Sequence, residues 1–156
     1  MQTKILNLKT LMLGGLLLAA AIAMPAGKAI AAETPDSLAG ATLVTADKAK
    51  ELQAKGAVIV DTRVANEYAE AHIKGAVSVP YKEKSAKAPD FDASQDSFDL
   101  SKLPADKNAA IVMYCNAGEC WKSYKASVVA IKAGYKKIHW FRGGFPEWKG
   151  KGFPTE

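Results

Sequence analysis

Ala110-Ile111-Val112-Met113-Tyr114-Cys115-Asn116-Ala117-Gly118-Glu119-Cys120-Trp121-Lys122-Ser123 is the stretch whose reading decides the fold. Its first five residues form a continuous apolar run, of the kind buried on both faces of a parallel sheet. From Trp121 to Ala133 the pattern is that of a long helix, and Gly134 supplies the left-handed residue that closes it. Working outward, Ala57-Val58-Ile59-Val60 is a second β-branched run ended by Asp61, Ala76 to Val79 is a short strand stopped by Pro80, and Lys137 to Phe141 is the last core strand. Thr45 and Asp47 open an amphipathic helix over Lys48 to Lys55 that Gly56 closes, and Val64 to Ala71 is a short helix. Strands alternating with helices predict an α/β domain with a mostly parallel sheet and right-handed crossovers.

The chain has 156 residues, 49% apolar and 24% charged, with two cysteines, which suits one globular domain and excludes a disordered or disulfide-stapled chain. Residues 1–32 read as a cleaved secretory signal. Lys4 and Lys9 form its positive region, Leu11 to Met24 its apolar region and Ala29-Ile30-Ala31 its cleavage pattern. The apolar stretch is shorter than the roughly 20 residues of a spanning helix. Removing Lys4, Lys9 and Lys28 lowers Lys+Arg from 21 to 18 against 16 Asp+Glu, so the formal charge drops from +5 to +2. That is no basic footprint for nucleic acid, and no later segment is apolar enough to span a bilayer. The mature protein is therefore expected to be periplasmic or otherwise exported, where its cysteines meet an oxidising compartment. Residues 33–40 read as a flexible lead-in and 41–156 as the folded domain. Within that domain 81–104 is a long polar excursion, pinned to the body by Phe91, Phe98 and Leu100 or serving as a partner-binding lid.

Cys115 ends a buried strand where doubly wound sheets bind their ligands. A loop curling into a helix start directs N–H groups and the positive end of the helix dipole at its centre, which favours an anion such as a thiolate. Gly118 is expected to allow the tight curvature, and a thiol so placed becomes nucleophilic near neutral pH. The alternative is a buried cysteine that packs as a small hydrophobe.

Three ordered stretches resemble the rhodanese family of single-domain sulfurtransferases, and the resemblance covers most of 41–150. They are Asp61-Thr62-Arg63 with Glu67-Tyr68, His72-Ile73-Lys74-Gly75-Ala76 and Pro80; Cys115-Asn116-Ala117-Gly118 with Ser123; and Gly143-Gly144-Phe145 with Trp148. The resemblance implies a three-layer domain with about five strands. It also implies that the Cys115 thiolate takes sulfane sulfur from a donor such as thiosulfate, becomes a persulfide, and passes the sulfur to a thiol or cyanide. The N–H groups of Asn116, Ala117, Gly118, Glu119 and Cys120 are expected to hold that anion, and Arg142 is either the donor-binding cation or part of a surface salt bridge. Asp61, Arg63 and Glu67 read as structural, Arg63 pairing with Glu67 across the turn, and His72 as a structural histidine. No cofactor is implied, and Cys115, Cys120, His72 and His139 lack the spacing of a metal site.

Two departures matter. Glu119 stands where relatives often carry a cation, which lowers thiosulfate turnover unless Lys122 folds over the loop. The Cys-x4-Cys-Trp arrangement, which resembles a subset of exported bacterial relatives, adds Cys120 to the same loop. Cys120 is a candidate to resolve the persulfide with release of sulfide, to be oxidised with Cys115, or to form an inert staple. The rival functions are a thiol-disulfide protein cycling Cys115 and Cys120, and a non-catalytic module docking a periplasmic protein.

Overall fold

The computed structural model describes residues 32–156; the export signal expected over 1–32 lies outside the described residues except for Ala32. The elements in chain order are β1 (Ala41–Leu43), α1 (Ala46–Ala54), β2 (Val58–Asp61), α2 (Ala65–Glu70), β3 (Val77–Ser78), β4 (Ala110–Tyr114), α3 (Trp121–Lys132), β5 (Lys137–Phe141) and α4 (Gly144–Gly150). The strands form one sheet in the order β1-β5-β4-β2-β3. Every pairing is parallel, from Ala41 opposite Ile138 to Asp61 opposite Ser78, so the expected five-stranded α/β domain is what the chain forms.

The apolar runs alternate by face. Ile111 and Met113 of β4, Val60 of β2 and Ile138 of β5 pack with Ala126 and Ala130 of α3. Val112, Tyr114, Ile59 and Phe141 point the other way, onto Ala46 and Ala49 of α1 and Trp148 of α4. Each fully buried Val, Ile or Phe side chain contributes about 1.5–3 kcal/mol, so both faces of the sheet need a helical cover. Two caps fix α1. Thr45 Oγ1 accepts from the Lys48 N–H at 3.4 Å, and Glu147 Oε1 of α4 accepts from the Ala46 N–H at 2.8 Å. The last helix thus helps to start the first.

The 81–104 excursion is tied down by polar groups more than by its aromatic residues. Phe91 is buried and Phe98 and Leu100 pack at the edge of the α3-side core. At its centre Asp96 accepts from Tyr81 Oη at 2.7 Å, from Ser85 Oγ at 2.6 Å, and from the Lys84 and Ser85 N–H groups at 2.7 Å each. Lys125, wholly buried on α3, donates to Ser85 Oγ at 2.8 Å and meets Glu83 at 2.8 Å and Asp96 at 3.8 Å. Burial opposes the charge on Asp96, but the hydrogen bonds outweigh it and hold its carboxyl well below the usual carboxylate range. A depressed folded-state pKa gives stability that is fully present above the unfolded value, about 4, and is lost as pH falls towards the folded one. Asp96→Asn is therefore expected to lower Tm at neutral pH and to flatten its fall below about pH 4. A thermal melt series checks this, and an unchanged acid limb would contradict it.

Candidate active site

The chain leaves the centre of the sheet at Tyr114, between β2 and β5, at the carboxyl ends of the strands. This is where the direction of strand addition reverses, and so where the fold opens a crevice. Cys115 is 1% exposed at that point. Cys120, half-buried, stands at the N-cap of α3, and the two cysteines are joined by a disulfide with Cα atoms 6.3 Å apart. That separation is inside the ordinary range for a bridge, so the loop needs no change of backbone to close.

The surroundings of Cys115 Sγ are specific. Ser123 Oγ lies 3.1 Å away and the Ser123 N–H donates to the sulfur at 3.4 Å. Trp140 Nε1 donates to Ser123 Oγ at 3.1 Å, which leaves the hydroxyl proton free to turn towards the sulfur. One member of the expected cradle is engaged elsewhere. The Cys120 N–H is spent on the Ala117 carbonyl at 3.2 Å, and the N–H that reaches the sulfur belongs to Ser123, on the first turn of α3. The curvature is also placed differently. Ala117, not Gly118, takes the left-handed conformation, with φ of 50°. A Cβ at Gly118 would lie 3.1 Å from the guanidinium carbon of Arg142, a tight contact that a small shift of that side chain relieves.

The Asp61-Thr62-Arg63 stretch builds the floor. Arg63 donates to both carboxylate oxygens of Asp61, at 2.7 Å to Oδ2, and to the Ala71 carbonyl at 2.7 Å. Tyr114 Oη donates to Asp61 at 2.5 Å and accepts from the Ile73 N–H at 3.2 Å. The expected Arg63–Glu67 pairing is thus corrected: Arg63 folds back on Asp61, two residues earlier, and Glu67 accepts from the side-chain amide of Asn116 instead. Asn116 is thereby an anchor of the loop. His72 is held by the Tyr68 carbonyl at 2.8 Å and stacks on the Tyr68 ring.

Gly144 fastens the loop from the other side. The Phe145 N–H donates to the Cys115 carbonyl at 2.8 Å, and Gly144 has φ of 58°. A Cβ there would stand 2.2 Å from that carbonyl oxygen. The glycine pair and phenylalanine noted in the sequence are a clasp on the active-site loop.

The segment expected to be a flexible lead-in is drawn across the site. The Thr34 N–H and Oγ1 both donate to the Gly118 carbonyl at 2.8 Å, and Trp121 Nε1 donates to the Ala32 carbonyl at 2.7 Å. Arg142 lies against Gly118 as expected, but its guanidinium is engaged by the Thr34 carbonyl at 2.8 Å, Glu33 at 3.2 Å and Asp36 at 3.6 Å. The sequence carries no periodic signal in 32–36 that would mark this strap. Beside it a cleft of about 330 Å³ is lined by Leu43, Gly118, Arg142 and Glu147. Lys122 does not fold over the loop; it lines a separate cleft of about 430 Å³ with Val64, Pro80, Lys82 and Lys84. Glu119 is exposed. A chain beginning at Ala39 is expected to have its disulfide reduced by dithiothreitol several-fold faster than one beginning at Ala32. Equal rates would show that the strap does not guard the loop.

A five-stranded parallel α/β sheet with a cysteine loop at the end of its central strand, clasped by a glycine pair, defines the class of domain to which this chain belongs. The sequence matches the profile of the rhodanese-like domain over residues 45–151, and the chain belongs to that family. It is 28% identical over 113 residues to thiosulfate sulfurtransferase 16 of the Arabidopsis thaliana chloroplast, covering 72% of this chain and 91% of that one. Over 79 residues it is 28% identical to thiosulfate sulfurtransferase PspE of Escherichia coli, covering 51% and 62% of the two chains. Among solved structures, the human single-domain sulfurtransferase superposes with a TM-score of 0.51 at 23% identity, covering 71% of this chain and 97% of that one. The thiosulfate sulfurtransferase of Pseudomonas aeruginosa gives 0.56 at 19% identity, covering 74% and 20%. These two likenesses are of fold.

Proposed function

We propose that the protein is an exported sulfurtransferase that accepts sulfane sulfur from a small anionic donor such as thiosulfate onto Cys115. The observation that carries this reading is the seat of Cys115 Sγ at the carboxyl end of the central strand, with the N–H and hydroxyl of Ser123 at 3.4 and 3.1 Å. The Ser123 N–H, and the Ser123 hydroxyl once its proton turns to the sulfur, favour its anionic forms, the attacking thiolate and the persulfide that follows, against the opposing Cys120 carbonyl oxygen 3.2 Å from the same atom. The relatives named as thiosulfate sulfurtransferases support the same chemistry. In the step itself the Cys115 thiolate attacks the outer sulfur of thiosulfate, the S–S bond breaks, and sulfite leaves with its electron pair. The Arg142 guanidinium lies against Gly118 of the loop, and its release from Glu33 and Asp36 would expose it to the donor. Periplasmic location rests on the apolar stretch Leu11–Met24 and the Ala29-Ile30-Ala31 pattern.

The test is the sulfite released when the reduced protein, residues 32–156, meets thiosulfate. One sulfite per chain is expected, and none from Cys115→Ser. No sulfite from the wild-type protein would overturn the assignment.

A further inference from the structure

We propose that Cys120 is the protein's own acceptor thiol, so that the site converts sulfane sulfur to inorganic sulfide and ends each turnover as the Cys115–Cys120 disulfide, which an external dithiol then opens. The inference rests on the sulfurtransferase reading above and names its acceptor.

The geometry is the ground for it. A sulfur carried on Cys115 sits at a side chain only 1% exposed, beneath a loop that the strap crosses at Gly118 and Trp121. An outside acceptor has to pass these to reach it. Cys120 is already there, in bonding position with Cys115 Sγ, and its Cα lies 6.3 Å from that of Cys115. Holding two reacting groups together in this way is worth effective concentrations far above those of a free thiol, reaching about 10⁵–10⁸ M in well-oriented cases. The Cys115 anchors do not need to move for the reaction: the Phe145 N–H holds its carbonyl at 2.8 Å and Asn116 is tied to Glu67.

The atoms balance as follows. The Cys115 thiolate takes the outer sulfur of thiosulfate and sulfite departs. The Cys120 thiolate attacks Cys115 Sγ of the protonated persulfide, the Cys115 S–S bond breaks, and the outer sulfur leaves as HS⁻. In sum, two thiols and thiosulfate give the disulfide, sulfite, HS⁻ and one proton; the cysteines are oxidised by two electrons and the sulfane sulfur is reduced. An external dithiol supplies the two electrons of the return. Its thiolate attacks Cys120, the more exposed of the two residues, and Cys115 leaves as a thiolate beside the N–H of Ser123. Its second thiol then releases Cys120 and becomes a disulfide itself.

The experiment treats reduced, anaerobic protein with thiosulfate and reads released sulfide and intact mass together. Wild type is expected to release one sulfide per chain and to lose two hydrogens, with no sulfur retained. Cys120→Ser is expected to hold one sulfur on Cys115 and to release no sulfide. If wild type keeps its added sulfur and releases no sulfide, the inference fails while the sulfurtransferase reading stands. If neither protein takes sulfur or gives sulfite, that reading fails and takes the inference with it. A second arm traps the oxidised protein with glutathione. The adduct is expected on Cys120, located by fragmentation of the peptide, and an adduct on Cys115 would overturn the return step.

Discussion

Arg63→Ala is expected to cost about 3–5 kcal/mol of folding stability, because it leaves the Asp61 carboxylate buried and without its cation. Asp61 is fully buried and Arg63 is 4% exposed. The guanidinium also carries the Ala71 carbonyl and lies 4.3 Å from the centre of the Phe145 ring, so the loss spreads to the turn before β3 and to the clasp. Against a total stability of about 5–15 kcal/mol, such a loss brings the domain near its unfolding threshold. The urea midpoint at constant slope is the measurement. The double change Asp61→Asn with Arg63→Met is expected to be milder than Arg63→Ala alone, since it leaves no unpaired charge. A single-variant loss below about 1 kcal/mol would mean that solvent reaches Asp61 and that the pair is not a buried one.

Gly144→Ala is expected to abolish sulfur uptake by a factor of 100 or more, the order of loss known for a misplacement of about 1 Å in a catalytic group. Two effects act together. An L-residue at φ of 58° is strained, and its Cβ would stand 2.2 Å from the Cys115 carbonyl oxygen and 2.9 Å from the Ala117 nitrogen. Neither atom is the end of a flexible side chain, so the loop backbone has to shift and the Phe145 N–H to Cys115 bond is lost. Sulfite release from thiosulfate checks the activity, and a melt checks that the domain is still folded. Retained activity in a folded protein would show that the clasp is not what positions Cys115. Gly143→Ala is a useful contrast, because the Cβ there would meet the Glu147 carboxylate, which can swing away at the expense of its cap on α1.

Much of this frame was legible from the residues alone, for a physical reason. Strands buried on both faces have to be continuously apolar, so β2 and β4 declared themselves, and β4 and β5 span the expected residues. The helix α3 was marked by its spacing and by Gly134, which takes φ of 95°. The edges were harder. β1 has three residues and ends in Leu43, 47% exposed, so no buried run announces it. α4 begins on a glycine, holds Pro146 and ends on Gly150; its helical state comes from Trp148 buried against the sheet, a tertiary effect that propensity opposes.

The site divides in the same way. Cys115 and its position at a strand end follow from local sequence, because a strand-loop-helix passage is a local event; the left-handed residue of the loop does not, since it falls on Ala117 and not on Gly118. The partners of each group do not. Glu67 and Asn116 are joined across 49 residues, Arg142 and Thr34 across 108, and Lys125 and Ser85 across 40. Charge type told that Arg63 needed a carboxylate, but two were within reach, and only the folded backbone chooses Asp61.

The sheet order also governs how the chain can come into being. β1 is an edge strand whose one neighbour is β5, so Ala41 waits for Ile138 before it has anything to pair with. A polypeptide delivered from its N-terminus therefore holds its first strand idle until nearly the whole length has emerged, and such distant pairings form slowly. The six residues from Cys115 to Cys120 can meet at once. Closure of the sheet thus waits on the last strand, while the sulfur pair is ready as soon as the second cysteine appears.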